Sequence, residues 1–261
     1  MFGIDSHQTL PNAISMSYAA WDDYMAHIWY NLLYFFDLKL DGVIIEVAPG
    51  GSTKIAQALE KMVFRGDVHL IEPQAALGRD IYHRYQQILP KATIHLHQNT
   101  LQEVIGQLPK RVDALVSNHA LDDMLLAETH YTTPDLFHWA ARGDEQSIVP
   151  YQQIWGQLKN NPQELQRCIN NIINLWTSTI HDVQPKNVLL SQYSSFHMAL
   201  HQLDDLNHEA WKMLQSLQQI YAHHCLPPPI IQTILNSMKH YNNPHIGFNI
   251  LNAKHWLGAV I

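Results

Sequence analysis

From Ala13 to Leu38 the apolar residues Trp21, Tyr24, Met25, Ile28, Trp29, Leu32, Leu33 and Phe36 recur at helical spacing, while Asp22 and Asp23 fall together on a polar side. That period predicts an amphipathic helix. The next segment, DGVIIEVAPGGS at 41–52, is a turn, a short β-branched run and a second turn rich in glycine and proline. It leads into TKIAQALEKMVF, which has helical periodicity and no breaker. The segment therefore reads as strand, tight turn, helix.

The alternation continues down the chain. Strands are predicted at VHLIE (68–72), ATIHLH (92–97), RVDALVSN (111–118) and NVLLSQY (187–193), with helices from Ala75 to Leu89 and from Leu101 to Leu108 between them. Strands alternating with helices require a mostly parallel, doubly wound sheet with helices on both faces. The closing HIGFNIL, NAKH and WLGAVI read as an antiparallel hairpin, which completes a seven-stranded α/β sheet. Two pieces interrupt the pattern: 124–186, with a helix near Glu164 to Ile180, and the mostly helical 194–244. Both follow strand C-terminal ends, where doubly wound sheets bind ligands, so they are expected to form a lid and substrate region. The helix within 1–39 is expected to cap a single domain spanning 1–261.

Composition narrows the partners. A chain of 261 residues that is 46% hydrophobic can bury one substantial core. The formal net charge is -7 and the Lys and Arg residues are scattered, which argues against nucleic acid. No apolar run reaches the ~18 to 20 residues that cross a bilayer, and the start lacks a signal-peptide pattern. A cytoplasmic protein with no membrane association is expected, and a homodimer is left open. Cys168 and Cys225 form no C-x-x-C pair, and the 18 histidines lack H-E-x-x-H spacing. No metal is expected.

Three groups fall at the ends of predicted strands. Glu46, Ala48, Pro49, Gly50, Gly51 and Ser52 form a turn whose small residues let the backbone approach a ligand. Glu72, with Pro73 after it, ends the second strand about twenty residues later, where a carboxylate can bind both ribose hydroxyls. Ser117, Asn118, His119, Ala120, Leu121, Asp122 and Asp123 follow the fourth strand. Each has a plainer reading: a helix-initiating turn capped by Ser52 or Thr53, a solvated strand-end acid, and first-turn acids favoured by the helix dipole.

Taken in order, these residues resemble the class I, Rossmann-like, S-adenosylmethionine-dependent methyltransferases. EVAPGGS is similar to their E-x-G-x-G-x-G loop, with Ala48 and Ser52 in place of two glycines. Glu72 in LIEP matches their acidic residue after the second strand, Asn99 with Thr100 falls where the adenine is held, and Asp113 to Leu121 resembles their fourth-strand motif. The terminal hairpin matches their reversed seventh strand. The resemblance covers about 40–122 and the C-terminus. It implies methyl transfer to a small or medium-sized metabolite, with S-adenosylmethionine as cofactor and S-adenosylhomocysteine as product. The cofactor would lie against Glu46, Ala48, Pro49, Gly50, Gly51, Glu72, Pro73, Asn99, Thr100, Asn118 and His119. His119 and Asp122 are the candidate catalytic groups, with His197 and His201 as further candidate bases.

Other classes fit less well. A nicotinamide oxidoreductase would carry Y-x-x-x-K, a P-loop nucleotidase G-x-x-x-x-G-K-[ST], and an α/β-hydrolase G-x-S-x-G, none of which occurs. An aminopropyl or aminocarboxypropyl transferase with a related cofactor, and an inactive Rossmann-like partner subunit, stay open. The aromatics Trp21, Tyr24, Trp29, Tyr30 and Tyr34, with Tyr131, Phe137, Trp139, Tyr151 and Trp155, predict an enclosed acceptor pocket walled by both segments.

Overall fold

The computed structural model describes residues 18–131, 145–193, 198, 202–237 and 251–261. Helix α1 (Tyr18–Phe35) precedes β1 (Val43–Val47), α2 (Lys54–Lys61), β2 (Asp67–Ile71), α3 (Ala75–Ile88) and β3 (Thr93–His97). A one-turn helix, α4 (Leu101–Val104), runs into a 3-10 turn at Ile105–Gln107. Then follow β4 (Ala114–Asn118), α5 (Leu121–Glu128), α6 (Glu145–Lys159), α7 (Pro162–Val183) and β5 (Asn187–Ser191). The chain closes with α8 (Asp204–Ile220), α9 (Pro228–Asn236), a 3-10 turn at Ala253–His255 and β6 (Trp256–Val260).

The strands form a six-stranded sheet in the order β3-β2-β1-β4-β5-β6, parallel except for β6, which runs antiparallel to β5. Strand side chains alternate between two cores, as a period of two requires. Ile44, Val68, Leu70, Ala114, Val116 and Leu189 pack with α1, α2, α3 and α9, whereas Ile45, Val47, Ile71, Leu115, Val188 and Leu190 pack with α5, α6, α7 and α8. The strand order reverses between β1 and β4, which opens a crevice at their C-terminal ends.

Two expectations change, and a third falls outside the described residues. Among the described residues the sheet has six strands. The expected seventh, at 245–251, lies outside them except for Leu251, which lies in a turn. The far edge of β6 is met by the residues before α9: Leu226 N donates to Gly258 O at 2.8 Å and Val260 N to His224 O at 3.0 Å, around a bridge between Cys225 and Ala259. The helix expected near Glu164 to Ile180 extends to Pro162–Val183, because Asn161 caps its first turn, Pro162 starts it, and Gln184 ends it in a left-handed conformation. The two aromatic segments also separate. Tyr24 and Trp29 belong to the core on one face of the sheet, Tyr151 and Trp155 to the core on the other, so these buried rings do not wall one pocket. Phe137 and Trp139 lie outside the described residues.

Candidate functional site

The turn after β1 is held from two sides. Ala48 and Gly50 both adopt left-handed backbone, with φ of 52° and 55°. Glycine does this without strain; alanine carries a Cβ penalty, and Ala48 N is fixed to Ile71 O at 2.9 Å. Gly50 N donates to Glu72 Oε2 at 3.1 Å, and Gln74 N donates to Glu72 Oε1 at 3.1 Å. On the other side Arg84, from α3, donates to Gly51 O at 2.7 Å and to Thr53 Oγ1 at 3.4 Å. The next residue, Tyr85, donates its hydroxyl to the Glu46 carboxyl. A Cβ built on Gly50 would meet no atom within 4 Å, so the loop turns a bare backbone toward open space.

This geometry divides the loop residues by role. Gly50 and Glu72 border the crevice, and Pro49 is buried. Glu46 is 2% exposed and faces Tyr85, so it supports the loop from within. Burial pushes its carboxyl up to about 8, against which the Tyr85 bond pulls only in part. Glu72 is 5% exposed, and burial lifts it to about 7; the two backbone N–H groups lower it and the Asp123 charge raises it. Pro73, Asn99 and Thr100 are exposed. Thr100 is engaged in capping α4: its N and Oγ1 donate to Glu103 Oε2 at 2.8 and 2.9 Å, which holds the Glu103 carboxyl below its usual value.

At the ends of β4 and β5 a polar network links α1 to the sheet. The Oδ1 of Asn118 accepts from Trp29 Nε1 at 3.1 Å, Ser191 Oγ at 3.2 Å and the Tyr193 hydroxyl at 3.2 Å. That oxygen is therefore a structural hub. His119, with φ of 59°, places Nε2 2.7 Å from Tyr193 O. A carbonyl only accepts, so Nε2 carries the hydrogen and Nδ1 is left bare, 3.4 Å from Asp122 Oδ2. Burial lowers His119 to about 4 and lifts Asp122 to about 7. Gln192 joins them to α8 by donating to Asn207 Oδ1 at 2.9 Å. Beside this group lie an ion pair between Lys54 Nζ and Asp22 Oδ1 at 3.7 Å, and the Trp21 ring, 6.4 Å from that of Tyr193.

His197 and His201 lie outside the described residues. Arg84, Tyr85 and Lys54 join the site without having been singled out for it. Arg84 and Tyr85 sit more than thirty residues from the loop they hold, and no motif spacing marks them. Among the described residues no group of three or more His, Cys, Asp or Glu side chains could hold a metal, and no helix is long and apolar enough to cross a membrane.

No family model and no curated protein sequence matches the chain. Solved structures with a similar outline include methyltransferases. One is coclaurine N-methyltransferase bound to N-methylheliamine and SAH, at 7% identity over 95% of this chain and 75% of that one, with a TM-score of 0.40. Another is an O-methyltransferase family protein from Burkholderia thailandensis, at 13% identity over 93% and 58%, with a TM-score of 0.37. A third is the bifunctional kinase-methyltransferase WbdD, at 12% identity over 65% of this chain, with a TM-score of 0.38; the match spans 28% of that protein's length.

Proposed function

We propose that the chain binds S-adenosylmethionine in the crevice between β1 and β4 and is a class I methyltransferase acting on a small or medium-sized metabolite. The observation that carries this reading is the pairing of Gly50 with Glu72. A left-handed glycine with open space over it meets a buried carboxylate, and among the described residues each of that carboxylate's oxygens is engaged by a single backbone N–H. A carboxylate oxygen accepts more than one hydrogen bond, so Glu72 keeps capacity for a vicinal diol.

The residues present therefore fit the cofactor. Glu72 would hold the ribose, the Gly50–Gly51 backbone would lie under the amino-acid arm, and Asn99 would flank the base. When bound, the cofactor supplies a methyl group already activated on a sulfonium. What the chain must add is orientation and exclusion of water. Arg84 and Tyr85 keep the loop in register for that task. His119 stays neutral near pH 7, fixed to the Tyr193 carbonyl through Nε2–H, while its Nδ1 and the Asp122 carboxyl are placed to share a proton. The acceptor would enter beside Trp21, Tyr193 and the Lys54–Asp22 pair. A net charge of -7 suits a metabolite better than a nucleic acid.

Calorimetric titration with S-adenosylmethionine and S-adenosylhomocysteine tests the reading. Saturable binding of both with one-to-one stoichiometry is expected. Absence of binding by the folded protein would refute it.

A further inference from the structure

Among the described residues β3 is an edge strand, paired with β2 alone. Side chains add a second tie between the two. A period of two puts His95 and His97 on the same side of the sheet as His69, whose register partner is His95. The His69 and His95 rings stack at 4.3 Å with 12° between their planes, and His69 Nδ1 lies 3.0 Å from His97 Nε2. One of these two nitrogens donates and the other accepts, so the bond requires a bare nitrogen.

This tie leads to the crevice. His97 O accepts from Glu72 N at 3.0 Å, and the Glu72 carboxylate in turn accepts from Gly50 N and Gln74 N, both at 3.1 Å. The residue after His97, Gln98, donates its side-chain amide to Ala75 O at 3.2 Å, at the start of α3. The His69 ring is thereby joined to the glycine turn through His97 and Glu72.

We infer that His69 and His97 are positioning residues for Glu72: the bond between their rings clamps the end of β3 to β2 and so fixes the backbone from which the Glu72 carboxylate reaches Gly50. The effect on ligand binding rests on the cofactor reading above; the clamp itself does not. A second proton on the pair removes its acceptor, and charged rings stacked at 4.3 Å repel. Among the described residues the titratable groups acting on His69 are His95, His97 and Asp67, whose Oδ1 lies 3.0 Å from His95 Nε2. On the same side of the sheet α4 carries Glu103, which is taken up by Thr100, while α3 packs against the opposite face. Burial first, then the two neighbouring rings, hold His69 down at about 4, against the pull of Asp67. Because that value lies below the ordinary 6.5, the clamp has its full strength above about pH 6.5 and weakens as pH falls toward 4.

Amide hydrogen exchange of the ligand-free full chain, read by NMR and corrected for intrinsic rates, tests the clamp. His69→Asn keeps a hydrogen-bonding atom near the place of Nδ1 but does not titrate. From about pH 7 to about pH 5, protection of the Glu72 N–H should fall by about 20-fold relative to that in His69→Asn, the change for one ring held at about 4 against 6.5. Titration of Glu72 itself is common to both proteins and cancels. At about pH 7.5, His97→Ala should lower this protection about fivefold, the worth of one neutral hydrogen bond, and should lower affinity for S-adenosylhomocysteine alike, because binding must then restore a position that the bond no longer holds. His97→Gln, whose amide nitrogen stands near the place of Nε2, should restore both; melting temperatures confirm that each variant is folded. The same pH dependence in His69→Asn as in the unsubstituted protein, an equal loss in His97→Gln and His97→Ala, or full affinity in folded His97→Ala would overturn the inference. The exchange results are read without ligand, so failure of the unsubstituted protein to bind S-adenosylhomocysteine would overturn the cofactor reading and leave the clamp to be judged by exchange alone.

Discussion

Replacing Glu72 separates a ligand-binding carboxylate from a merely structural one. In Glu72→Ala the Gly50 and Gln74 N–H groups lose their acceptor, and a bound ribose would lose two charge-assisted hydrogen bonds. Hydrogen bonds to a charged group are worth roughly 1.5 to 3 kcal/mol, so affinity for S-adenosylhomocysteine should fall by about 2 to 3 kcal/mol, roughly 30- to 150-fold. Glu72→Gln distinguishes this from a general collapse of the loop, since it keeps the shape and one acceptor oxygen but cannot ionise. The carboxyl sits at about 7 because burial outweighs its two backbone donors. A ligand that prefers the ionised form binds more tightly as pH rises through that value, and its affinity drops up to about tenfold per unit below it. Thioether affinity of the unsubstituted protein should therefore weaken from pH 8 to pH 6, and that of Glu72→Gln should be flat. The assay is calorimetry across that range, with melting curves as the control. A folded Glu72→Ala protein that binds S-adenosylhomocysteine within about twofold of the original would refute the reasoning.

Three further outcomes are expected. Gly50→Val places a branched side chain at φ 55° in the space left for the ligand; it should cost roughly 1 to 2 kcal/mol of stability and abolish measurable cofactor binding, checked by urea denaturation and calorimetry. Ala48→Gly relieves the left-handed alanine at φ 52° and should raise stability by up to about 1 kcal/mol, read from the urea midpoint. Glu46→Gln removes a carboxyl held at about 8 against a usual 4.5. Because the folded-state value is raised, Glu46 contributes a loss of stability as pH climbs from about 4.5 to about 8, by up to about 5 kcal/mol, so the decline should be smaller by that amount in Glu46→Gln, where the raised Glu72 and Asp122 still act; parallel stability curves would show that Glu46 is ionised in the fold.

The strands, the glycine turn and Glu72 were legible because each is a local pattern: β-branched runs, small residues at a turn, an acid at a strand end. The functions of Asn118 and Thr100 were not. Their types suit a ligand site, but one accepts from Trp29, 89 residues away, and the other caps its own short helix. The aromatic segments misled for a related reason. Periodicity shows which rings are buried, while the face of the sheet that buries them is set by crossover topology. Arg84 was invisible because a single arginine on an amphipathic helix carries no motif, and only the packing of α3 beside the loop gives it a partner.

The anchoring of α1 also bears on how the chain reaches its fold. Trp29 is tied to Asn118, the Phe36 carbonyl accepts from Asn187 Nδ2 at 3.2 Å across 151 residues, and Asn31 reaches Ser237 across 206. On a ribosome this helix emerges well before the strands that receive it. Trp29 must wait through 89 further residues for Asn118, and Phe36 through 151, more than half the chain, for Asn187. Contacts of such sequence separation slow folding and leave apolar surface open to aggregation. Refolding from urea should show docking of α1, followed by Trp29 fluorescence, as a late phase that comes after formation of the β1–β4 sheet.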